Sequence, residues 1–201
     1  SLSVFSGVED AWAISGTPTD CVNIALGHLV PEKPDLVVSG INIGYNTTEA
    51  LMLSSGTIAG ALEGAFSGLP AIAFSKCVPK DLFPEVSRSK GRTSGDFSKS
   101  LGAAAARAAA LSREALETPP PPGTVLNVNF PPQTSENPEI RETRPAKVEL
   151  GSLFEETRPG RYRFRFHEGL VVHDDADTDR AVLDAGKISR SLLDFSKVGR
   201  P

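Results

Sequence analysis

Hydrophobic positions along the chain switch between short continuous runs and stripes of helical period, with turn residues between them. Ala11-Trp12-Ala13-Ile14 reads as a short strand. Thr17-Pro18-Thr19-Asp20 then starts a helix: the threonine caps, the proline takes the first helical position, and the aspartate stands three places after the cap. Val22, Ala25, Leu26 and Leu29 share one face of it, and Pro31 and Pro34 stop it. Leu36-Val37-Val38 is a buried strand that Ser39-Gly40 ends, so the segment predicts a βαβ unit. A second helix runs from Ile58 to about Phe66, with Ile58, Ala61, Leu62, Ala65 and Phe66 inward and Gly68 as its stop. Pro70 to Ser75 is another buried strand, and residues 76–94 read as a polar surface loop. Asp96 heads an alanine-rich helix to about Glu117, Pro119 to Pro122 make a stiff break, and Thr124 to Phe130 is a further strand.

The stretch Pro34 to Asn46 organises the rest. Its strand opens into a loop rich in glycine and asparagine. Gly40 and Gly44 let the backbone turn where a Cβ would hinder it. Asn42 and Asn46 bring neutral amides that both donate and accept hydrogen bonds. Loops at the carboxyl ends of strands are where open α/β sheets bind ligands. About a dozen residues on, Ser55-Gly56-Thr57 opens the second helix, and free N–H groups at a helix start flanked by small side chains suit a phosphate. The plain alternative is a strand–loop turn whose asparagines satisfy backbone groups, followed by an ordinary hydroxyl cap. Residues alone argue phosphate binding but not catalysis, because no convergent pair of carboxylates stands in the strand-end loops.

The character changes past the last core strand. Residues 139–150 and 161–166 look extended. Arg161 to Phe166 alternates strictly, with Tyr162, Phe164 and Phe166 on one side and arginines on the other, after a Pro159-Gly160 turn. The pattern predicts a β-ribbon appendage, whose arginine face suits an anion or nucleic acid or, as the plainer reading, is a solvated edge whose aromatic face packs on the body or on another subunit. The run from Asp175 to Asp179 begins like a calcium loop but has Arg180 and Gly186 where the loop needs glycine and glutamate. His28, His167 and His173 have no metal-ligand spacing.

Composition narrows the class. With 201 residues, 39% hydrophobic and 23% charged, the chain suits one globular domain. A net charge of −4 argues against broad nucleic-acid binding. Cys21 and Cys77 stand far apart, which suits a reduced, cytoplasmic protein, and no apolar run reaches membrane-spanning length. Asn46-Thr47-Thr48 matches a glycosylation sequon, a pattern too short to count without secretory evidence. The phosphate-loop, zinc-protease, serine-elbow and dinucleotide fingerprints are all missing.

Gly16 to Val22, Pro34 to Asn46, Ser55 to Thr57 and Gly68 to Ala73, in this order and spacing, resemble the SurE (survival protein E) family of metal-dependent phosphatases acting on nucleoside monophosphates. Weaker similarity continues through Leu126 to Asn129, Pro159 to Phe166 and Asp177 to Asp179. The resemblance implies a three-layer αβα sandwich, Rossmann-like, with a β-ribbon arm in the C-terminal part. It divides the chain into a core at 1–135, incomplete at its N-terminus, and a β-rich oligomerisation arm with a C-terminal return at 136–201. It makes Asn42 a ligand of one divalent metal, Mg²⁺ or Mn²⁺, and places Asn46, Ser55, Gly56 and Thr57 at the substrate phosphate. It implies a 5′/3′-nucleotidase that forms a homodimer or homotetramer and needs no membrane or stable nucleic-acid partner. One departure matters. Family members begin with a strand ending in Asn-Asp-Asp-Gly, whose aspartates hold the metal, and that motif is absent here. The sequence therefore also fits a non-catalytic phosphate-binding or assembly fragment, or a degenerate paralogue.

Overall fold

The computed structural model describes residues 1–201 except 45, 80, 90, 136–137, 150, 153, 165–169, 172–174 and 199–201. In chain order the elements are β1 (Val4–Val8), β2 (Ala11–Ile14), α1 (Pro18–Ile24, continued by a π turn over Ala25–Leu29), β3 (Val37–Ile43), α2 (Glu49–Met52), α3 (Gly56–Phe66), β4 (Ala71–Lys76), α4 (Phe83–Arg88) and α5 (Gly95–Glu117). There follow β5 (Thr124–Phe130), β6 (Ile140–Glu142), β7 (Val148–Glu149), β8 (Phe154–Arg158), β9 (Arg161–Phe164), β10 (Leu170–Val171), α6 (Asp179–Asp184) and β11 (Ile188–Asp194).

Five strands make the central sheet in the order β3-β4-β5-β11-β6. β3, β4 and β5 run parallel, β11 is antiparallel to β5, and β6 is parallel to β11. Because side chains alternate across a strand, the two faces take different helices. Ala71, Ala73, Val125 and Leu193 pack with Ile58, Ala61 and Ala65 of α3, and Val22 and Leu26 extend that layer. Ile72, Phe74, Val128, Phe130 and Ile188 face Ala104, Ala108, Leu111 and Ala115 of α5. Every residue of β4 is buried, which explains its unbroken apolar start. The architecture is the three-layer αβα, Rossmann-like fold. Its β-ribbon is the antiparallel β8–β9 hairpin, which pairs Glu156 with Tyr162. Of the residues assigned to the ribbon's alternation, Arg165 and Phe166 lie outside the described set, as do Tyr45, His167 and His173.

Several expectations need correction. Ser39-Gly40 does not end β3, which continues to Ile43 across a register shift between Ser39 and Asn42. β3 is the edge strand of the sheet, so Val38 is exposed where the sequence predicts a strand covered on both faces, and Phe66 at the end of α3 is exposed and not inward. Ala11–Ile14 does not open a βαβ unit. It pairs antiparallel with Val4–Val8 as a separate hairpin outside the main sheet. A partner across a two-residue turn at Glu9-Asp10 costs little loop entropy, and an apolar run of four residues does not say which partner a strand takes. The segment 76–94 is not wholly irregular, since Phe83–Arg88 forms α4. The helix start at Thr17 is as expected. Thr17 Oγ1 accepts from Asp20 N at 3.2 Å and Thr17 N donates to Asp20 Oδ2 at 2.8 Å. Hydrogen bonds from the Thr17 side chain and backbone hold the Asp20 carboxyl below its ordinary range.

Candidate functional site

The parallel strands β3, β4 and β5 set the direction of the site. α3 crosses from β3 to β4 and runs against β3: a Cβ on Gly64 would stand 2.6 Å from Val37, and one on Gly60 would stand 3.0 Å from Ser39 Oγ. One turn earlier lies Gly56. The start of α3 and the loop after β3 therefore occupy the same, carboxyl end of the sheet, where open α/β folds place their ligands. The missing side chains at Gly60 and Gly64 let the helix lie close on the strand.

Gly40 has φ of 117°, and a Cβ there would lie 2.3 Å from the Phe74 carbonyl oxygen, so only glycine fits. The β3–β4 register shifts between Ser39 and Asn42, which brings Asn42 beside Ser75. A Cβ on Gly44 would sit 3.0 Å from Asn42 Nδ2, so the amide lies over the backbone at Gly44. The Asn42 side chain is half-buried and makes no hydrogen bond among the described residues.

Asn46 is buried, 5% exposed, and gripped from beneath. Its N–H donates to Asn129 Oδ1 at 2.8 Å, and its carbonyl accepts from Asn127 Nδ2 at 2.8 Å and Asn129 Nδ2 at 3.1 Å. Its Nδ2 donates to Ser75 Oγ at 2.7 Å. Strand period explains the set: Ser75 follows Ala71 and Ala73 on the α3 face of β4, and Asn127 and Asn129 follow Val125 on that face of β5. Their burial leaves no room for a glycan on Asn46.

Thr47 and Thr48 continue the loop inside the protein, and among the described residues their hydroxyls and Asn127 Oδ1 have no partner. Thr48 has φ of 68° and ψ of 145°, a conformation nearly reserved for glycine that costs roughly 1–3 kcal/mol. Its N–H donates to Asp179 Oδ2 at 2.8 Å. Asp179, wholly buried at the start of α6, also accepts from Ala146 N at 3.0 Å and Arg180 N at 2.8 Å. Burial pushes its carboxyl above the ordinary range, against the lowering effect of those N–H bonds.

At the start of α3, Ser55 Oγ caps the helix by accepting from Ile58 N at 3.2 Å. Gly56 lies against Pro18, where a Cβ would come within 3.1 Å of Cγ. Ser55 also lines a groove of about 540 Å³ with Met52, Ile58, Leu62 and Phe195, and neither Asn42 nor Asn46 lines it. The structure thus gathers Asn42 and Asn46 around Ser75 and sets Ser55–Thr57 at the same end of the sheet.

Lys76 ends β4 fully buried. Its ammonium donates to the carbonyls of Pro131 and Pro132 (2.9 Å to the latter) and to Thr134 Oγ1 at 3.1 Å, and it lies 5.6 Å from the Phe97 ring centre. Burial lowers its pKa to about 8 and pushes the neighbouring Cys77 thiol up to about 12. All three ammonium hydrogens have acceptors, so Lys76 braces the loop after β5 rather than offering itself to an anion.

A hard divalent cation takes six or more oxygen ligands, carboxylates foremost. Among the described residues no group of three or more His, Cys, Asp or Glu could hold one. Asn42 supplies one neutral donor, and the Asp20 and Asp179 carboxylates are spent on backbone groups. The residues present do not by themselves fit a complete metal site.

Sequence reasoning missed Ser75, Asn127, Asn129 and Asp179. Two asparagines at i and i+2 in an otherwise apolar strand were the available signal for the middle pair.

A model of the family described as survival protein SurE matches residues 3–152. The chain is similar to the 5′-nucleotidase SurE of Nitrobacter winogradskyi, 37% identical over 182 residues, covering 89% of this chain and 66% of that protein. It is similar to the 5′-nucleotidase SurE of Chlorobium phaeobacteroides, 43% identical over 120 residues, covering 60% of this chain and 40% of that protein. The crystal structure of the SurE protein from Aquifex aeolicus superimposes with a TM-score of 0.68 at 25% identity, covering 97% of this chain and 74% of that one. The chain thus spans between 40% and 66% of the length of these curated relatives. Motif order, the strand-end loop, the three-layer fold and the family match agree: the chain belongs to the SurE family.

Proposed function

We propose that this chain belongs to a 5′/3′-nucleotidase that hydrolyses nucleoside monophosphates to nucleoside and phosphate, and that it holds the substrate phosphate. The observation that supports it is the rigid loop after β3. Asn127 and Asn129 fix its backbone and Ser75 holds the Asn46 side chain, at the same end of the sheet as the start of α3. A phosphate dianion needs fixed N–H donors and a helix start, and costs least where these need not reorganise. The backbone N–H groups of Gly56 and Thr57, which Ser55 caps, and the second Nδ2 hydrogen of Asn46 fill that role, since the Asn46 and Ser55 backbone N–H groups are donated to Asn129 and Met52. The relatives named 5′-nucleotidase support the reaction class. Family membership supports dependence on Mg²⁺ or Mn²⁺, to which Asn42 would contribute one ligand.

A second reading, a phosphate-binding module without turnover, is favoured by one observation: no carboxylate cluster stands among the described residues. We place self-association on the β8–β9 ribbon, where Phe154 and Tyr162 are 54% and 65% exposed.

The test is phosphate release from nucleoside 5′- and 3′-monophosphates with Mn²⁺ or Mg²⁺ and with EDTA. Release that EDTA abolishes and Asn42→Ala lowers supports the nucleotidase. Saturable nucleotide binding without release supports the module. Neither release nor binding overturns both.

A further inference from the structure

We propose that Asp179 is a positioning residue for the phosphate loop, holding Thr48, and through it Asn46, in the geometry the site requires. The inference rests on the phosphate-site reading above. Asp179 lies 131 positions from Thr48 in sequence, yet its carboxylate takes the Thr48 N–H while its other oxygen takes Ala146 N and Arg180 N. One side chain thus ties the loop, the 146 segment and α6 together. Ala146 closes the circuit, because its carbonyl accepts from Glu49 N at 3.1 Å at the start of α2.

Two features make the tie more than general packing. Thr48 sits at φ 68°, a conformation a β-branched residue leaves unless something holds it. Among the described residues the Thr48 N–H donates to Asp179 alone. A carboxylate is also the one group of this size that accepts on both oxygens. An asparagine would set its NH₂ against one of the N–H donors, so Asp179→Asn keeps the shape and breaks the tie. Thr178 offers a control: it caps the same helix, accepting from Ala181 N at 3.4 Å and donating to the Asp175 carbonyl, and among the described residues it makes no hydrogen bond with the loop.

The experiment compares Asp179→Asn, Thr178→Ala and the double variant Asp179→Asn/Thr48→Gly. Inorganic phosphate and adenosine 5′-monophosphate are titrated by calorimetry, and amide hydrogen exchange is read at Asn46 and Thr48. Both single variants lower the melting temperature. The proposal expects Asp179→Asn alone to weaken phosphate binding at least tenfold and to speed exchange at Thr48, with Thr178→Ala within twofold of the parent. Thr48→Gly, which accepts positive φ freely, recovers part of the lost affinity. Equal loss in both single variants, or unchanged exchange at Thr48 in Asp179→Asn, overturns it. If the parent binds no phosphate, the site reading fails, and the exchange measurement still decides whether Asp179 holds the loop.

Discussion

The two asparagines of β5 invite one substitution made twice. Asn127 and Asn129 are both fully buried and both donate to the Asn46 carbonyl. They differ in their oxygens. Asn129 Oδ1 accepts the Asn46 N–H at 2.8 Å, whereas Asn127 Oδ1 has no partner among the described residues. Leucine has the branching of asparagine but more volume, so both variants share an overpacking cost of about 1–3 kcal/mol, and the costs that follow are those of the hydrogen bonds alone. Asn129→Leu leaves the Asn46 N–H buried without an acceptor, at about 1–3 kcal/mol, and removes one of two donors on the carbonyl, at about 0.5–1.5 kcal/mol. The net loss is about 2–4 kcal/mol. Asn127→Leu removes one donor while the carbonyl keeps Asn129, and it also removes a buried oxygen that was itself unpaired. Its cost is under about 1 kcal/mol. Equilibrium urea unfolding followed by far-ultraviolet circular dichroism separates them: with a slope of about 2 kcal/mol/M, Asn129→Leu lowers the midpoint by about 0.5–2 M more than Asn127→Leu does. A larger shift for Asn127→Leu, or equal shifts, refutes the claim that Asn129 carries the loop.

Other outcomes follow from the same geometry. Gly64→Ala gains about 1 kcal/mol of helix propensity but places a methyl 2.6 Å from Val37, and overpacking of about 1–3 kcal/mol lowers the melting temperature in a thermal scan. Lys76 has a folded pKa of about 8 against 10.5 for the free group. Between these values the unfolded chain binds more protons, so stability rises with pH. The raised Cys77 thiol acts oppositely above pH 9, where the unfolded chain ionises first. Urea midpoints therefore rise from pH 7.5 to 9 in the parent and stay flat in Lys76→Met. Asn42→Ala leaves the urea midpoint within experimental scatter, because its side chain holds nothing among the described residues, while nucleotide hydrolysis falls at least tenfold.

Much of the core was legible because local rules and tertiary context agree. Thr17-Pro18 with Asp20 is a helix start in isolation and in the fold. Pro70 to Ser75 is apolar because β4 is covered on both faces. Gly40 reads as the glycine that ends β3, yet it lies inside that strand at its register shift, and the Phe74 carbonyl that forbids a Cβ there is not visible in the local sequence. Ala11–Ile14 pairs outside the main sheet, which the sequence does not show, because four apolar residues suggest a strand but not its partner. Lys76 looked like the first residue of a surface loop, since nothing local announces three acceptors from residues 131–134. The candidate site was legible in part for the same reason. Asn42, Asn46 and Ser55–Thr57 lie within sixteen residues of one another and share a recognisable spacing. Their supports come from 29 to 131 residues away, and pairing across such distances leaves no local pattern.

The central claim is that the β3 loop and the start of α3 together hold the phosphate of a nucleoside monophosphate. The most direct measurement is a ¹⁵N–¹H titration of the chain with adenosine 5′-monophosphate, repeated with adenosine. The account predicts saturable shifts centred on the amides of Asn46, Gly56 and Thr57, present with the nucleotide and absent with the nucleoside. Equal shifts with adenosine, or shifts centred elsewhere on the sheet, would contradict it.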